Sequence, residues 1–483
     1  MADVSEASAH GGGLKRTLGP WSLVALGIGA IIGAGIFVRT AAAIAERAGP
    51  SVTLAFVVAG IGCAFAGLCY AEFASMIPVA GSAFTYSYAT MGELVAWIIG
   101  WDLVLEYAVG AATVAIAWSE YFNKVLEYFG VQVPYQWCHS PFEKAMGSGV
   151  AGIMNLPALA ILLVLSLLLV RGTQESAMVN AVIVVVKLAI VVMVIVIGWG
   201  FMNPANHTPY IPAPTTYTTP EGVVHPYGGI MGILGAAGVV FFAFIGFDAV
   251  STAAQETKNP ARDMPFGILG SLVVCTILYV LFSHVLSGVA TVEDFRTFGK
   301  EASVTFAIQK YMTGYSWLGK LVTVAILAGF SSVILVMLLG QSRVFFSMSE
   351  AGLVPKIFAD VHPKFHTPWK SNLLFFVFTG IFGAFIPGDI VGEMTSIGTL
   401  FAFILVCAGA WIIRVRQPEL PRGFKVPALP VVSILGIGVC GAMIYGLGWT
   451  NWLRLAVWLV IGLVFYFTYG IHHSKLNPAN AKK

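Results

Sequence analysis

Runs of about twenty apolar residues recur along the chain between short polar stretches, and a helix of about that length crosses a bilayer. They fall near 21 to 45, 51 to 74, 94 to 121, 155 to 171, 177 to 200, 228 to 254, 265 to 290, 317 to 346, 371 to 388, 392 to 413, 427 to 448 and 452 to 471. The pattern predicts an all-α membrane protein of about twelve spans with both termini on one side. Two runs are interrupted. The first carries Gly27, Gly29, Gly33 and Gly35 in the stretch G-I-G-A-I-I-G-A-G-I-F. The sixth opens on Gly228, Gly229, Gly232, Gly235 and Gly238 and continues as Phe242-Ala243-Phe244-Ile245-Gly246-Phe247. A glycine lowers helix propensity by about 1 kcal/mol relative to alanine, and backbone left unpaired in hydrocarbon is costly. A helix broken there lines a site, unless Gly29 and Gly33 serve only as a GxxxG packing pair.

Glycine-interrupted spans at the head of each of two five-helix blocks point to an inverted repeat, because an odd number of helices per block reverses the second block in the membrane. The blocks are 21–200 and 228–413, joined by a loop at 201–227. Two further helices occupy 414–471, and 1–20 and 472–483 are tails. The Pro- and Thr-rich segment Phe201 to Val224 reads as an extended loop. Gln341 to Lys370 mixes apolar and basic residues and predicts a short amphipathic helix at the membrane surface.

Composition narrows this further. The 483 residues are 58% hydrophobic and 10% charged, and the mean hydropathy of +0.85 exceeds what burial in a soluble domain accommodates. The net charge of +3 is small and scattered, which excludes a nucleic-acid partner. Lys and Arg concentrate on the terminal side, among them Lys15, Arg16, Lys364, Lys370, Arg414 and Arg416, which predicts cytoplasmic termini and a multi-pass protein of the inner, plasma membrane. Met1 to Leu18 has no signal-peptide core, so the first span is expected to be its own anchor. Five cysteines, Cys63, Cys69, Cys275, Cys407 and Cys440, fall in spans and Cys138 in a loop, with no metal spacing and no paired loop thiols. Neither a disulfide nor an obligate partner subunit is expected. The glycines read GxGxxxG rather than the dinucleotide GxGxxG, and HExxH, P-loop and nucleophile-elbow motifs are absent. An enzyme, a resident metal and a bound cofactor are therefore not expected.

A site made of freed backbone suits an amino acid zwitterion, since helix N-termini hold carboxylates and carbonyl ends hold ammonium groups. The amides of Ala34 and Gly35 beside Gly33 are assigned to the carboxylate, and the carbonyls of Ile31, Phe242 and Ile245 around Ala243 to the ammonium. Phe242 is a lid over the ligand or an ordinary packing residue. Ionisable groups inside spans are few, and each costs about 2.5 kcal/mol or more at the bilayer centre. Lys187 lies well inside the fifth span, placed to load and release a proton or to sit bonded to carbonyls. Glu106 on the third span is read as a proton carrier, a partner for a basic group or a site for a substrate cation. Asp248 follows the second break as a gate, a relay or a helix cap. Ser331 and Ser332 pair with Lys187 or only pack, and His284 reads as a satisfied buried histidine.

With these residues in view, the chain resembles the amino acid, polyamine and organocation (APC) superfamily, and within it a bacterial member of the cationic amino acid transporter family. The resemblance rests on G-x-x-I-G-A-G-I-F, on L-E-Y around Glu106, and on F-I-G-F-D followed by E-T-K-N-P-A-R-D-M-P. It extends through G-Q-S-R, M-S-E-A-G-L-V-P, F-A-D-V-H-P-K-F-H-T-P-W, R-G-F-K-V-P and W-L-R-L-A-V-W-L-V-I-G-L. It implies a five-plus-five inverted repeat with two added helices, substrate at the two breaks, and alternating access. It further implies that Lys187 stands where related carriers hold sodium, favouring proton symport driven by the proton gradient, and that Glu106 takes part in transport. The expected substrate is an L-amino acid, cationic or small and neutral such as alanine. Amino acid exchange and sodium coupling are the nearest alternatives, and a channel or receptor a remote one.

Overall fold

The computed structural model describes residues 18–33, 35–76, 84, 87–88, 91–145, 148–172, 177–219, 222–248, 250, 257–297, 303–475 and 477, with backbone alone for 177–181. Among them, eight helices are long and apolar enough to cross a membrane and four apolar helices are shorter. In chain order the long elements are α1 (Pro20–Ile31), α2 (Val52–Met76), α3 (Glu93–Val104), α4 (Gly110–Tyr128), α5 (Leu156–Arg171), α6 (Ala177–Trp199) and α7 (Gly229–Val240). There follow α8 (Pro260–Val289), α9 (Ser316–Glu350), α10 (Trp369–Phe385), α11 (Gly388–Arg416), α12 (Leu429–Leu447) and α13 (Trp449–Phe465). The protein is an all-α membrane protein.

Local chemistry sets where segments start and stop. Asn155 caps α5 by accepting the Ala158 amide at 3.1 Å, Pro157 suits the first turn, and Gly172 closes it in the left-handed region at φ +75°. The π turn Leu105–Val109 joins α3 to α4 without ending the rod. Ile434, Leu435, Val457, Val460 and Ile461 leave the outer faces of α12 and α13 exposed and apolar. Such faces are at rest against lipid rather than water.

The core forms where α8 lies on α2 and α1, and where α9 packs on α4. All six cysteines are free and buried. On the face away from the termini, the segment after α6 is more ordered than a plain extended loop. It holds a 3-10 turn at Pro204–His207 and a hairpin, β1 (Thr215–Thr218) against β2 (Val224–Tyr227), with Thr215 opposite Tyr227. The Arg296 guanidinium lies over the rings of Tyr217 and Tyr227 at 4.5 and 4.7 Å, and its Nε donates to the Ala45 carbonyl. Nearby, burial alone raises the Asp294 carboxyl, but hydrogen bonds from Lys310, Tyr311 and Thr291 outweigh it and hold the group below the usual carboxylate range. His284 is half-buried and its ring meets that of His207 at 4.4 Å.

On the terminal face, the amphipathic helix expected within Gln341 to Lys370 does not form as a separate element. Residues up to Glu350 prolong α9, and beyond them only a 3-10 turn at Lys356–Ala359 precedes α10. The reason is continuity: α9 already presents an unbroken helix to the Gln341 stretch, and Gly352 at φ +82° then closes it, with the Leu353 amide donating back to the Met348 carbonyl.

Candidate functional site

The first glycine-rich span breaks. α1 ends at Ile31, where Ile32 turns to ψ 95°, and the helix resumes as a π turn at Gly35–Arg39. The second break is tighter: α7 narrows to a 3-10 turn over Phe241–Phe244 and opens at Ile245 with ψ 134°. The two breaks touch through backbone. A Cβ on Gly35 would lie 2.2 Å from the Ala243 Cα, and one on Gly246, which sits at φ +109°, would lie 2.8 Å from the Ala30 carbonyl oxygen. Glycine is required at both positions because the obstacle is main chain, which cannot swing aside. Gly29 serves packing, as its Cβ position runs into Val184 of α6.

The carbonyls at the breaks are only partly available. The Tyr279 hydroxyl of α8 lies 2.9 Å from the Ile31 oxygen and 2.9 Å from that of Ala243. Phe242 accepts a long 3.3 Å bond from the Ile245 amide. Of the residues assigned to the ligand from the sequence, Ile31, Gly33, Gly35, Phe242, Ala243 and Ile245 are gathered here, while Ala34 lies outside the described residues. Gly35 opens the resumed helix, where the first amides have no acceptor within the helix. Phe241 packs edge-on against Phe403, and Phe244 against Phe56 and Tyr279. Phe242 makes no ring contact among the described residues.

Lys187 is buried, and its stem runs along α9 where Gly329 leaves room: a Cβ there would meet the lysine Cε at 2.7 Å. Beside it a small cavity lined by Ile32, Gly33, Phe37, Ile190, Ile326 and Phe330 has about 10 Å³ for a water-sized body, the room of roughly one water. The structure therefore brings Lys187 to the first break. Ser331 accepts from Trp118 Nε1 at 2.9 Å and donates to the Leu327 carbonyl, and Ser332 is buried one residue on.

Glu106 and Asp102, one helical turn apart on α3 and the π turn, are each 1% exposed, and their oxygens have no hydrogen-bond partner among the described residues. Asp248 accepts from the Tyr107 hydroxyl at 2.7 Å, which links the second break to the same rod. Asp102, Tyr107 and Tyr279 were missed in the sequence reading. A tyrosine or acid deep in an apolar run needs a polar partner, and that was the available signal.

The resumed helix after the first break carries two buried arginines. Arg39 pairs with Asp389 at 2.9 Å, and Arg47 pairs with Glu393 at 2.9 Å. Glu393 also accepts from Asn451 at 2.9 Å and meets Arg454 at 3.4 Å. On the opposite face Glu72 of α2 accepts from Arg414 and from the Val426 amide, with Arg422 at 3.2 Å. Charge networks thus bracket the breaks above and below. Among the described residues no cluster of His, Cys, Asp or Glu is suited to a metal ion.

Comparison with known proteins bears on the family of the chain. A family model described as amino acid permease matches residues 18–469. The branched-chain amino acid permease BcaP of Bacillus subtilis (strain 168) is 43% identical over 99% of this chain and 98% of its own length. The methylthioribose transporter of the same organism is 39% identical over 96% of this chain and 95% of its own. Cationic amino acid transporter 5 of Arabidopsis thaliana is 32% identical over 94% of this chain and 76% of its own.

Proposed function

The chain belongs to the amino acid permease family, a family of membrane transporters rather than enzymes, and from that membership we propose that it takes up neutral L-amino acids with aliphatic side chains by proton-coupled alternating access. The observation that carries the reading is the backbone contact of the two breaks at Gly35 and Ala243. Opposed helix ends of this kind recognise the zwitterion common to all amino acids. The amides after the first break would take the carboxylate, carbonyls of the two breaks the ammonium, and Phe242 would close over the ligand.

The side-chain preference follows from what stands beside the first break. Its neighbours are Ile32, Phe37, Ile190, Ile326 and Phe330, and among the described lining residues the charged group is Lys187. An arginine or lysine substrate would meet like charge there, with no acid among the described lining residues. The names of the bacterial relatives for branched-chain substrates favour the same class. Glu106, with no basic partner among the described residues, is then assigned to the proton together with Lys187, because an unpaired buried carboxylate is costly. Asp248 and Tyr107 would relay between the second break and Glu106. The excess of Lys and Arg on the terminal side supports a cytoplasmic location for that side in a plasma-membrane protein, and the five-helix blocks at 21–200 and 228–413 would act as the two repeats.

Uptake of labelled leucine and alanine into liposomes with an imposed pH gradient tests this. Unlabelled valine and alanine are expected to compete and arginine not to. Effective competition by arginine overturns the neutral assignment. Lys187→Ala is expected to abolish accumulation driven by the gradient. Accumulation that needs sodium, or amino acid preloaded inside the liposome, would favour sodium coupling or exchange instead.

A further inference from the structure

Tyr279 of α8 joins the two breaks. Its hydroxyl is shared between two carbonyls that belong to different broken helices, Ile31 at the end of α1 and Ala243 in the 3-10 turn after α7. The residue is fully buried, and its ring is wedged between Phe56 at 5.5 Å and Phe244 at 5.2 Å. The phenol is therefore held between two rings and cannot leave the two oxygens by a simple rotamer change. It has only one O–H to give, so at any moment one carbonyl is served fully and the other only in part.

Two carbonyl dipoles with their negative ends turned to one point, one from the end of α1 and one from the 3-10 turn at the second break, form the kind of arrangement that draws a small monovalent cation in a membrane carrier. Here that point is taken by a neutral donor fixed to α8. We infer that Tyr279 is a positioning residue that stands in for a cation: its hydroxyl ties the two breaks together at the spacing the substrate needs and leaves the carbonyl pair closed to sodium. This deepens the proposed amino acid site and rests on that reading. It assigns the geometry of the site to a covalently attached donor, which is present in every cycle whatever the ionic medium. The unserved share of each carbonyl is what remains for the substrate ammonium.

The test uses the full chain in liposomes and three residues at one position. Tyr279→Phe keeps the ring and removes only the donor. It is expected to raise the KM for leucine about tenfold, the 1.4 kcal/mol that one lost hydrogen bond represents, with maximal rate changed far less. The variant is also expected to gain a response to sodium against choline that the wild type lacks. Genetically encoded p-aminophenylalanine at position 279 offers two N–H donors on the same ring and should restore the wild-type KM in choline. A structural role alone would not produce that rescue. A wild-type KM in Tyr279→Phe, or an unrescued KM with p-aminophenylalanine, overturns the positioning role. No sodium response in Tyr279→Phe overturns the stand-in for a cation. If the phenylalanine protein fails to fold, the p-aminophenylalanine protein alone decides: transport with wild-type KM upholds the donor role and a raised KM ends it. Wild-type protein that neither binds nor takes up leucine or alanine would instead sink the proposed function itself, so the two failures are told apart.

Discussion

The two broken helices meet at one point, yet they are built from opposite materials. The first break is lined by glycine and reopens into a wide π turn at Gly35–Arg39, whereas the second is a narrow 3-10 turn packed with phenylalanine. Around the first, neighbours come close because there is no side chain in the way. Around the second, Phe241 and Phe244 act as wedges that anchor the turn to α2, α8 and α11 through Phe56, Tyr279 and Phe403. One break thus contributes space and exposed backbone, and the other contributes a rigid platform in which Phe242, though buried, makes no ring contact among the described residues. A helix interruption is therefore not one kind of feature: what surrounds it decides whether it yields or holds.

The sharpest way to break this comparison is to add one methyl group to the glycine side. Gly35→Ala drives a Cβ to 2.2 Å from the Ala243 Cα, a main-chain clash. Leucine uptake is expected to fall by about a hundredfold or more, the equivalent of about 2.7 kcal/mol at the site. Gly33→Ala comes closest to Val333 Cγ2 at 3.3 Å, a side chain that can shift, and stands 3.9 Å from the nearest backbone atom, the Ile31 oxygen, so it should retain far more of the rate than Gly35→Ala. Equal loss in the two variants would show that the backbone contact is not what matters. On the phenylalanine side, Phe244→Ala empties a packed site and is expected to lower stability by about 3 kcal/mol, read as a fall in the thermal midpoint in detergent. Phe242→Ala removes a ring that is also buried and should lower that midpoint too, but unlike Phe244→Ala it is expected to raise the KM severalfold, and an unchanged KM would defeat the lid reading.

The smallest effect lies outside both breaks and sharpens the contrast with them. Asp294 is held below the ordinary carboxylate range by Lys310, Tyr311 and Thr291. A depressed folded-state value means the bonds stabilise the fold above the unfolded pKa, near 4, and that this stability drains away as pH falls through the folded value. Asp294→Asn should melt a few degrees lower at pH 7, with the gap to wild type narrowing below about pH 4, and with little change in KM. A gap that persists unchanged at low pH would show that the carboxylate charge is not responsible.

Much of this was legible in the residues. The interruptions at Gly27 to Phe37 and at Phe242 to Phe247, the buried position of Lys187 and the overall helical membrane class all follow from local pattern. Glycine content and apolar run length act within a turn or a span, so a short window of chain carries them. Tyr279 was not legible. Nothing near it in C-T-I-L-Y-V-L-F-S-H says which carbonyls it will meet, and the oxygens it serves lie 248 and 36 residues away.

What the chain determined by itself is therefore where its helices start, weaken and break, since propensity and hydrophobic run length are short-range properties. What only the tertiary structure decided is which groups face one another across those breaks. Arg39 and Asp389 are separated by 350 residues and Arg47 and Glu393 by 346. Burial forces each such polar group to find a partner, but the packing of whole helices selects which partner is within reach.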